Sequence, residues 1–167
     1  IKPPLLDLPH NGFVNIHPSL LPHNRGKNPN FWAIVEERPF GVTVQKADSG
    51  IDTGEIIAQK EIVYDWCDTG GTLYKKAVVE AVNLFKKVYV KIRKGQFETS
   101  VQDEGGSFHI ADELEVASEI ILDRNYEARY LLNLLRARTF DGHPSCYFEE
   151  NGQIYEVRVL INKKNSA

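Results

Sequence analysis

Methionine is absent from this chain, cysteine is scarce, and charge of neither sign dominates. The two cysteines, Cys67 and Cys146, lie far apart and show no CxxC or zinc-ligand spacing, which argues against a disulfide scaffold and a structural zinc site. With 20 basic and 23 acidic residues, the formal net charge of −3 does not indicate general binding to nucleic acid or anionic membranes. No apolar run approaches the ~20 residues that cross a bilayer. We therefore expect a cytoplasmic protein in a reducing compartment.

The composition is that of a globular protein with a substantial core. Its 167 residues are 42% hydrophobic and 26% charged, which fits one domain or one domain with a small appendage. The chain begins at Ile1-Lys2-Pro3-Pro4 without an initiator methionine and has no signal peptide pattern. We expect it to be a piece of a longer protein.

Short strands alternate with helices along the first part of the chain, which predicts an α/β fold. Strands are predicted over residues 12–17, 41–45 and 54–59, and a short helix over residues 31–37. The prolines and glycine of residues 18–29 predict an irregular loop. The clearest helix is predicted from Thr72 to Lys94, with Asp68 or Thr69 as its N-cap.

The last part of the chain predicts a small helix-plus-hairpin unit. A helix after Asn125 is predicted to bury one apolar face, formed by Tyr130, Leu131, Leu134 and Leu135. On that helix we expect Arg136 and Arg138 on the exposed side, with phosphate binding as the alternative. The Asn151-Gly152 pair between two apolar runs is the strongest short hairpin signal. The polar residues before Gly105-Gly106 suggest a boundary, and we divide the chain into residues 1–100 and 101–167.

Asn15 and His17 form the first candidate site. Alternate residues of a strand point to the same face, so the carboxamide and the imidazole project together from the strand end. When the imidazole is protonated, the pair offers hydrogen-bond donors suited to an oxyanion. Taken alone, the two residues fit a half-buried polar pair at a strand end better than a catalytic pair.

The loop of residues 48–54 adds two carboxylates, Asp48 and Asp52, after a predicted strand. Such a loop can bring an aspartate against His17 and fix its tautomer. Turn formation and calcium ligation are the alternatives, but the EF-hand pattern is missing. The other histidines show no paired ligand spacing, so we assign no metal.

These motifs occur together in a recognisable order. They are Asn15-x-His17, Ser19-Leu20-Leu21-Pro22, Arg25-Gly26, Gly41-Val42-Thr43 and Ile51-Asp52-Thr53-Gly54. The set resembles the 10-formyltetrahydrofolate-dependent formyltransferase family over about residues 5–75. The resemblance implies the C-terminal part of a Rossmann-like formyltransferase domain, followed by the small helix-plus-hairpin unit.

The resemblance also implies roles for individual residues. Asn15, His17 and Asp52 correspond to the family's catalytic trio, in which the asparagine and a cationic histidine stabilise the oxyanion of formyl transfer to an amine. The cosubstrate is 10-formyltetrahydrofolate, and loop residues that contact it in the family correspond to Asp48, Ser49, Gly50 and Ile51. The family's upstream nucleotide-fold segment is not in this sequence, so we expect the chain alone to be inactive. Gln45 stands where some members have histidine, and we give this difference no weight.

The segment from Arg25 to Trp32 is similar to sugar N-formyltransferases, which favours a nucleotide-linked amino sugar as the amine substrate. Arg25, Asn28 and Trp32 are the candidate substrate residues; Trp32 can stack on a sugar or base, with core packing as its alternative. Methionyl-tRNA is the second candidate substrate, disfavoured by the weak basic character. A non-catalytic folate or sugar-nucleotide binding module is the third possibility. The apolar C-terminal unit can pair across a two-fold axis as a homodimer.

Overall fold

The computed structural model describes residues 2–164. The strands are β1 (Val14–His17), β2 (Arg25–Gly26), β3 (Gly41–Lys46), β4 (Ile56–Glu61), β5 (Phe108–His109), β6 (Cys146–Glu150) and β7 (Gln153–Val157). The helices are α1 (Pro29–Val35), α2 (Gly70–Arg93), α3 (Ala111–Ser118) and α4 (Ala128–Arg138), with a short 3₁₀ helix at Leu5–Asp7. The prediction of an α/β chain is confirmed, although the sequence did not indicate β2, β5 or α3.

The main sheet has the strand order β1-β3-β4, and both pairings are antiparallel. The central strand β3 is buried over its first five residues because β1 and β4 cover both of its edges and α2 packs against it. Phe40, Val42 and Val44 are completely buried there and form part of the hydrophobic core with α1, α2 and α4. This antiparallel pairing places the end of β3 beside the start of β1, which decides where the following loop lies.

Helix α2 has Thr69 as its N-cap, one of the two residues that the sequence predicted, and the cap is a capping box. The hydroxyl of Thr69 accepts from the Thr72 amide at 3.2 Å, and the Thr72 hydroxyl accepts from the Thr69 amide at 2.9 Å. Leu73, Ala77 and Leu84 form its buried stripe against the sheet. Among the residues that the structure describes, no helix has the length and apolar character needed to cross a membrane.

The C-terminal unit consists of α3, α4 and the hairpin β6–β7. The hairpin turn has φ of 52° at Asn151 and 77° at Gly152, the left-handed pair that the Asn-Gly signal predicts. The prediction for α4 is wrong at three positions. Tyr130 is exposed, Arg136 is buried, and the side chain of Arg138 is only 11% exposed and donates to the Ser118 hydroxyl at 2.8 Å.

Tertiary contacts explain the burial of Arg136. Its guanidinium donates to the carbonyl oxygens of Asp65 and Asp68 at 2.8 and 3.0 Å and to Oδ1 of Asn133 at 2.9 Å. It also stacks over the ring of Trp66 at 4.8 Å. Arg136 therefore joins α4 to the segment that precedes α2, a role that helical spacing alone does not indicate.

Residues 100–110 cross back over the first part of the chain. Ser100 forms an isolated bridge with Ile56, and β5 pairs in parallel with β2. The amides of Arg25 and Lys27 each donate at 2.9 Å to carbonyl oxygens of this crossing segment. We call residues 100–110 the crossing segment below, because they connect the sheet with the C-terminal unit.

Candidate functional site

Asn15 and His17 leave β1 on the same side and meet Asp52, as their strand positions predicted. Asn15 Nδ2 donates to Asp52 Oδ1 at 3.1 Å, and His17 Nδ1 lies 3.5 Å from Asp52 Oδ2. Asp52 lies on the loop between β3 and β4, which folds back over the start of β1. Its φ of 55° is left-handed, a conformation uncommon for residues other than glycine.

The Asp52 carboxylate is surrounded by hydrogen-bond donors from separate parts of the chain. Besides Asn15, Gln45 Nε2 on β3 donates to Oδ1 at 3.0 Å. The backbone amide of Gly26 on β2 donates to Oδ2 at 2.9 Å. Three donors and an imidazole therefore orient one carboxylate, an arrangement suited to an ionised side chain that only accepts hydrogen bonds.

His17 has one ring nitrogen engaged by the backbone and one facing Asp52. Nε2 lies 2.9 Å from the carbonyl oxygen of Asn24, which can only accept, so Nε2 carries the hydrogen. Nδ1 is then the ring nitrogen that faces the carboxylate. The imidazole is buried, and its orientation is set from both ends.

A cavity of about 270 Å³ opens beside this cluster. Its walls come from the start of β1, the end of β3 and the loop that follows, and they include Asn15 and Asp52. Phe13 and Val14 give it an apolar side. Most of its other lining residues are polar, among them Gln45, Lys46 and Thr53. Among residues 2–164, no three His, Cys, Asp or Glu side chains are grouped to hold a metal ion.

The four loop residues expected to contact the cosubstrate differ in position. Asp48 and Gly50 line the cavity. Asp48 Oδ1 accepts from the Gly50 amide at 3.0 Å and from the Thr53 hydroxyl at 2.8 Å, which holds the turn. Ser49 and Ile51 lie at the exposed tip, where Ile51 is 59% exposed.

The three candidate substrate residues lie outside this cavity lining. Arg25 donates through Nε and Nη2 to Oε1 of Gln102 at 3.0 and 2.7 Å. Asn28 precedes α1 and lines a second cavity of about 320 Å³ with Pro18. Trp32 stacks on His109 with ring centroids 3.9 Å apart, so one face of its indole is covered within the chain.

Sequence reasoning missed several residues that hold the trio. Gln45, which the sequence analysis did not treat as a site residue, is the cross-strand partner of Asn15. The side-chain amides of both residues donate to the same oxygen of the Asp52 carboxylate. A prediction of antiparallel pairing would have revealed it. Asn24 and Gly26 belong to the segment predicted to be an irregular loop. Gln102 is 50 residues from Asp52 along the chain, and no local pattern marks it.

Relatives of this chain include two kinds of formyltransferase. It is 28% identical to a dTDP-4-amino-4,6-dideoxyglucose formyltransferase of Mycobacterium bovis, over 92% of this chain and 66% of that protein. It is 36% identical to a methionyl-tRNA formyltransferase of Thermodesulfovibrio yellowstonii, over 98% of this chain and 52% of that protein. The chain thus spans between about half and two thirds of the length of these relatives.

Solved structures share the fold. The formyltransferase PseJ from Anoxybacillus kamchatkensis, solved with UDP-4,6-dideoxy-4-formamido-L-AltNAc and tetrahydrofolate, superposes with a TM-score of 0.66. It is 38% identical, covering 70% of this chain and 61% of that one. The prediction of a Rossmann-like formyltransferase fold is therefore confirmed.

Family models match both parts of the chain. A model described as N-formyltransferase dimerization C-terminal domain matches residues 113–163. A model described as Formyl transferase matches residues 1–89, more than half of the chain and including the whole Asn15, His17 and Asp52 cluster. The chain belongs to the formyl transferase family.

Proposed function

We propose that the protein containing this chain transfers a formyl group from 10-formyltetrahydrofolate to the amine of a nucleotide-linked amino sugar. The observation that carries the proposal is the meeting of Asn15, His17 and Asp52 beside a cavity. The M. bovis relative named for a dTDP-amino sugar supports the substrate class, as does PseJ, which was solved with a UDP-sugar and tetrahydrofolate.

The cluster has the groups that formyl transfer to an amine needs. The folate supplies a formyl carbon bonded to nitrogen, and that C–N bond breaks as the new amide bond forms. Both Asn15 Nδ2 and His17 Nδ1 face the Asp52 carboxylate, and we propose that Asn15 and a protonated His17 donate to the formyl oxygen while it carries negative charge. One such donor is worth roughly 3 kcal/mol of barrier.

In this proposal Asp52 orients the His17 imidazole and accepts a proton. Its carboxylate orients the imidazole, and it accepts the proton that the attacking amine releases, directly or through water, on its way to the departing folate nitrogen. Gln45 and the Gly26 amide hold the carboxylate in place during this transfer. The reaction requires no metal.

The cavity suits the flat heterocyclic end of a folate. It is lined by Phe13 and Val14 on one side and by the loop residues Asp48 and Gly50 on the other. We propose that loop residues 48–51 contact the pterin, with Ser49 and Ile51 at the exposed tip available to enclose it. The cavity volume of about 270 Å³ is close to the lower end of the range for small-molecule sites.

We propose Arg25, Asn28 and Trp32 as residues on the sugar-nucleotide side. Arg25 uses Nε and Nη2 within the chain, which leaves Nη1 for a substrate oxygen. Trp32 has one ring face on His109 and an edge contact with Phe31, with ring centroids 4.9 Å apart, and we propose that its remaining surface contacts a base or sugar.

The proposal also covers the oligomeric state, the domain division and the location of the protein. We propose a homodimer formed through the C-terminal unit, supported by the dimerization-domain match over residues 113–163. We keep the division into residues 1–100 and 101–167 and the cytoplasmic location as proposals. The second candidate function is methionyl-tRNA formylation, favoured by the T. yellowstonii relative.

The test uses the complete gene product, 10-formyltetrahydrofolate and a panel of amines. The panel contains nucleotide-linked 3-amino and 4-amino sugars, glycinamide ribonucleotide and methionyl-tRNA, and the readout is tetrahydrofolate release. We expect release with one amino sugar. Release with methionyl-tRNA alone would select the second candidate, and folate binding without release would indicate a non-catalytic module.

The variant Asp52→Asn tests the site. An amide in place of the carboxylate must turn its NH₂ toward existing donors, either Asn15 and Gln45 or the Gly26 amide. We expect kcat to fall by about 10²–10³-fold while KM changes little. Asp123→Asn, which alters an exposed turn residue, is the matched control and retains activity. Unchanged turnover in Asp52→Asn would refute the assignment.

A further inference from the structure

The crossing segment places a glutamine side chain against the loop that holds Asp52. Gln102 is half-buried between the β3–β4 loop and β2. Its Nε2 donates to the carbonyl oxygens of Asp52 at 2.9 Å and Gly54 at 2.8 Å. Its Oε1 accepts from Nε and Nη2 of Arg25. The amide thus uses both of its hydrogens and both acceptor positions.

These contacts act on the backbone that orients the carboxylate. Asp52 has a left-handed φ of 55°, so an external constraint is needed to hold it there. Nε2 of Gln102 binds the carbonyl oxygens on both sides of Thr53, which ties down the peptide groups next to Asp52. The left-handed conformation is therefore maintained by a residue from a distant part of the chain.

The same side chain also constrains the opposite face of the carboxylate. Arg25, held by Oε1 of Gln102, directly precedes Gly26, whose amide donates to Asp52 Oδ2 at 2.9 Å. One amide thus fixes the segment that carries the carboxylate and the segment that supplies one of its donors. If Gln102 were removed, the two segments would keep the bond from the Gly26 amide to Asp52 Oδ2 but lose the side-chain bridge that supports it.

We propose that Gln102 is a positioning residue, which holds the Asp52 carboxylate in contact with His17 and Asn15. Its amide faces backbone carbonyls, Arg25 and, at 3.4 Å, Oε1 of Gln45, and it does not line the cavity, so it acts through Asp52 and not on the reacting atoms. The crossing segment thereby couples the start of the C-terminal part to the site. The inference rests on the proposed function for its kinetic consequence, whereas its structural consequence is independent of any substrate.

Two substitutions in the complete gene product separate the contacts of Gln102. Gln102→Glu keeps an acceptor for Arg25 but places a carboxylate oxygen against the carbonyl oxygens of Asp52 and Gly54. Gln102→Met introduces a side chain of similar length that neither donates nor accepts strong hydrogen bonds. Gln96→Met is the matched control, because Gln96 is exposed at the end of α2.

Amide hydrogen exchange, measured by mass spectrometry without substrate, is the first readout. We expect Gln102→Glu to increase exchange in peptides covering residues 48–55 but not residues 24–27, and Gln102→Met to increase it in both. Gln96→Met leaves both unchanged. Unaltered exchange in residues 48–55 of the Gln102 variants overturns the proposal. An equal increase throughout the chain also overturns it, because Gln102 would then have only a general structural role.

Kinetics with the amine identified in the panel is the second readout. A displacement near 1 Å in a catalytic group costs up to about 10²-fold, so we expect kcat to fall 10- to 10²-fold with little change in KM. Because Asp52 takes part in proton transfer, the pH profile of kcat should also change shape in both variants. Unchanged kcat and pH profile, despite local loosening of residues 48–55, would overturn the proposal. If no amine is formylated, the proposed function fails, and the exchange experiment still decides whether Gln102 holds the loop.

Discussion

Gly54, two residues after Asp52, lies where the chain leaves no room for a side chain. It is buried, and a Cβ added to it would meet the carbonyl oxygen of Lys46 at 1.7 Å and the carbonyl carbon at 2.8 Å. Both atoms belong to the backbone at the end of β3, so no side-chain rotation relieves the clash. The substitution Gly54→Ala therefore has to separate the loop from the strand.

The size of this separation predicts the functional loss. An ordinary contact of 3.4 Å requires the two backbones to move apart by 1.7 Å. That movement breaks the 2.9 Å bond from the Lys46 amide to the Glu55 carbonyl and displaces Asp52 from Asn15. Overpacking of this kind costs about 1–3 kcal/mol of the free energy of unfolding. Misplacing a catalytic group by about 1 Å costs about 10²-fold in rate.

The assay compares Gly54→Ala with Gly142→Ala in the complete gene product. Gly142 has φ of 78°, but an added Cβ would meet nothing within 4 Å, so this control carries only backbone strain. We expect both variants to lose stability in urea unfolding and only Gly54→Ala to lose formyl transfer. Parental activity in Gly54→Ala, in a protein whose fold is intact, would refute the reasoning, because the close approach would then not govern the position of Asp52.

Two further predictions concern titrating groups outside the site. Burial raises the pKa of Asp68, but hydrogen bonds led by that of Lys76 outweigh it and lower the pKa below its ordinary value. The stability that this carboxylate contributes is therefore present above its unfolded-state pKa and lost as the pH falls through the folded-state pKa. Asp68→Asn should lower the free energy of unfolding by about 1 kcal/mol at pH 7. In urea titrations, the difference between the variant and the parent protein should be smaller at pH 3. An equal difference at pH 7 and pH 3 would contradict this role of Asp68. Burial raises the pKa of Cys146 to about 12, so iodoacetamide at pH 8 should alkylate only the partly exposed Cys67. Intact-mass measurement should then show one adduct in the native protein and two in denaturant. Native modification of both thiols would show that Cys146 is accessible.

Local physics explains the correct sequence predictions. The Thr69 cap, the apolar stripe of α2 and the Asn151-Gly152 turn depend on interactions within a few residues. The common direction of Asn15 and His17 follows from strand geometry alone. Motif order in the first half was enough to indicate the family.

The error at Arg136 and the omission of β2–β5 both involve contacts between distant parts of the chain. Arg136 was predicted to be exposed because helical spacing does not reveal the carbonyl groups, 68 and 71 residues away, that it binds. The strand pair β2–β5 was missed because each member has only two residues and acquires its regular form through the other.

The sequence by itself determined the α/β class, the main helices and strands, the hairpin and the three residues that meet at the site. The tertiary structure alone decided how Asp52 is held there. Gln45 reaches it through strand pairing, Gly26 through the path of a loop, and Gln102 across 50 residues of chain. No local sequence pattern identifies the hydrogen-bond partner of a side-chain amide. The partner becomes defined only when the folded chain brings donor and acceptor within about 3 Å.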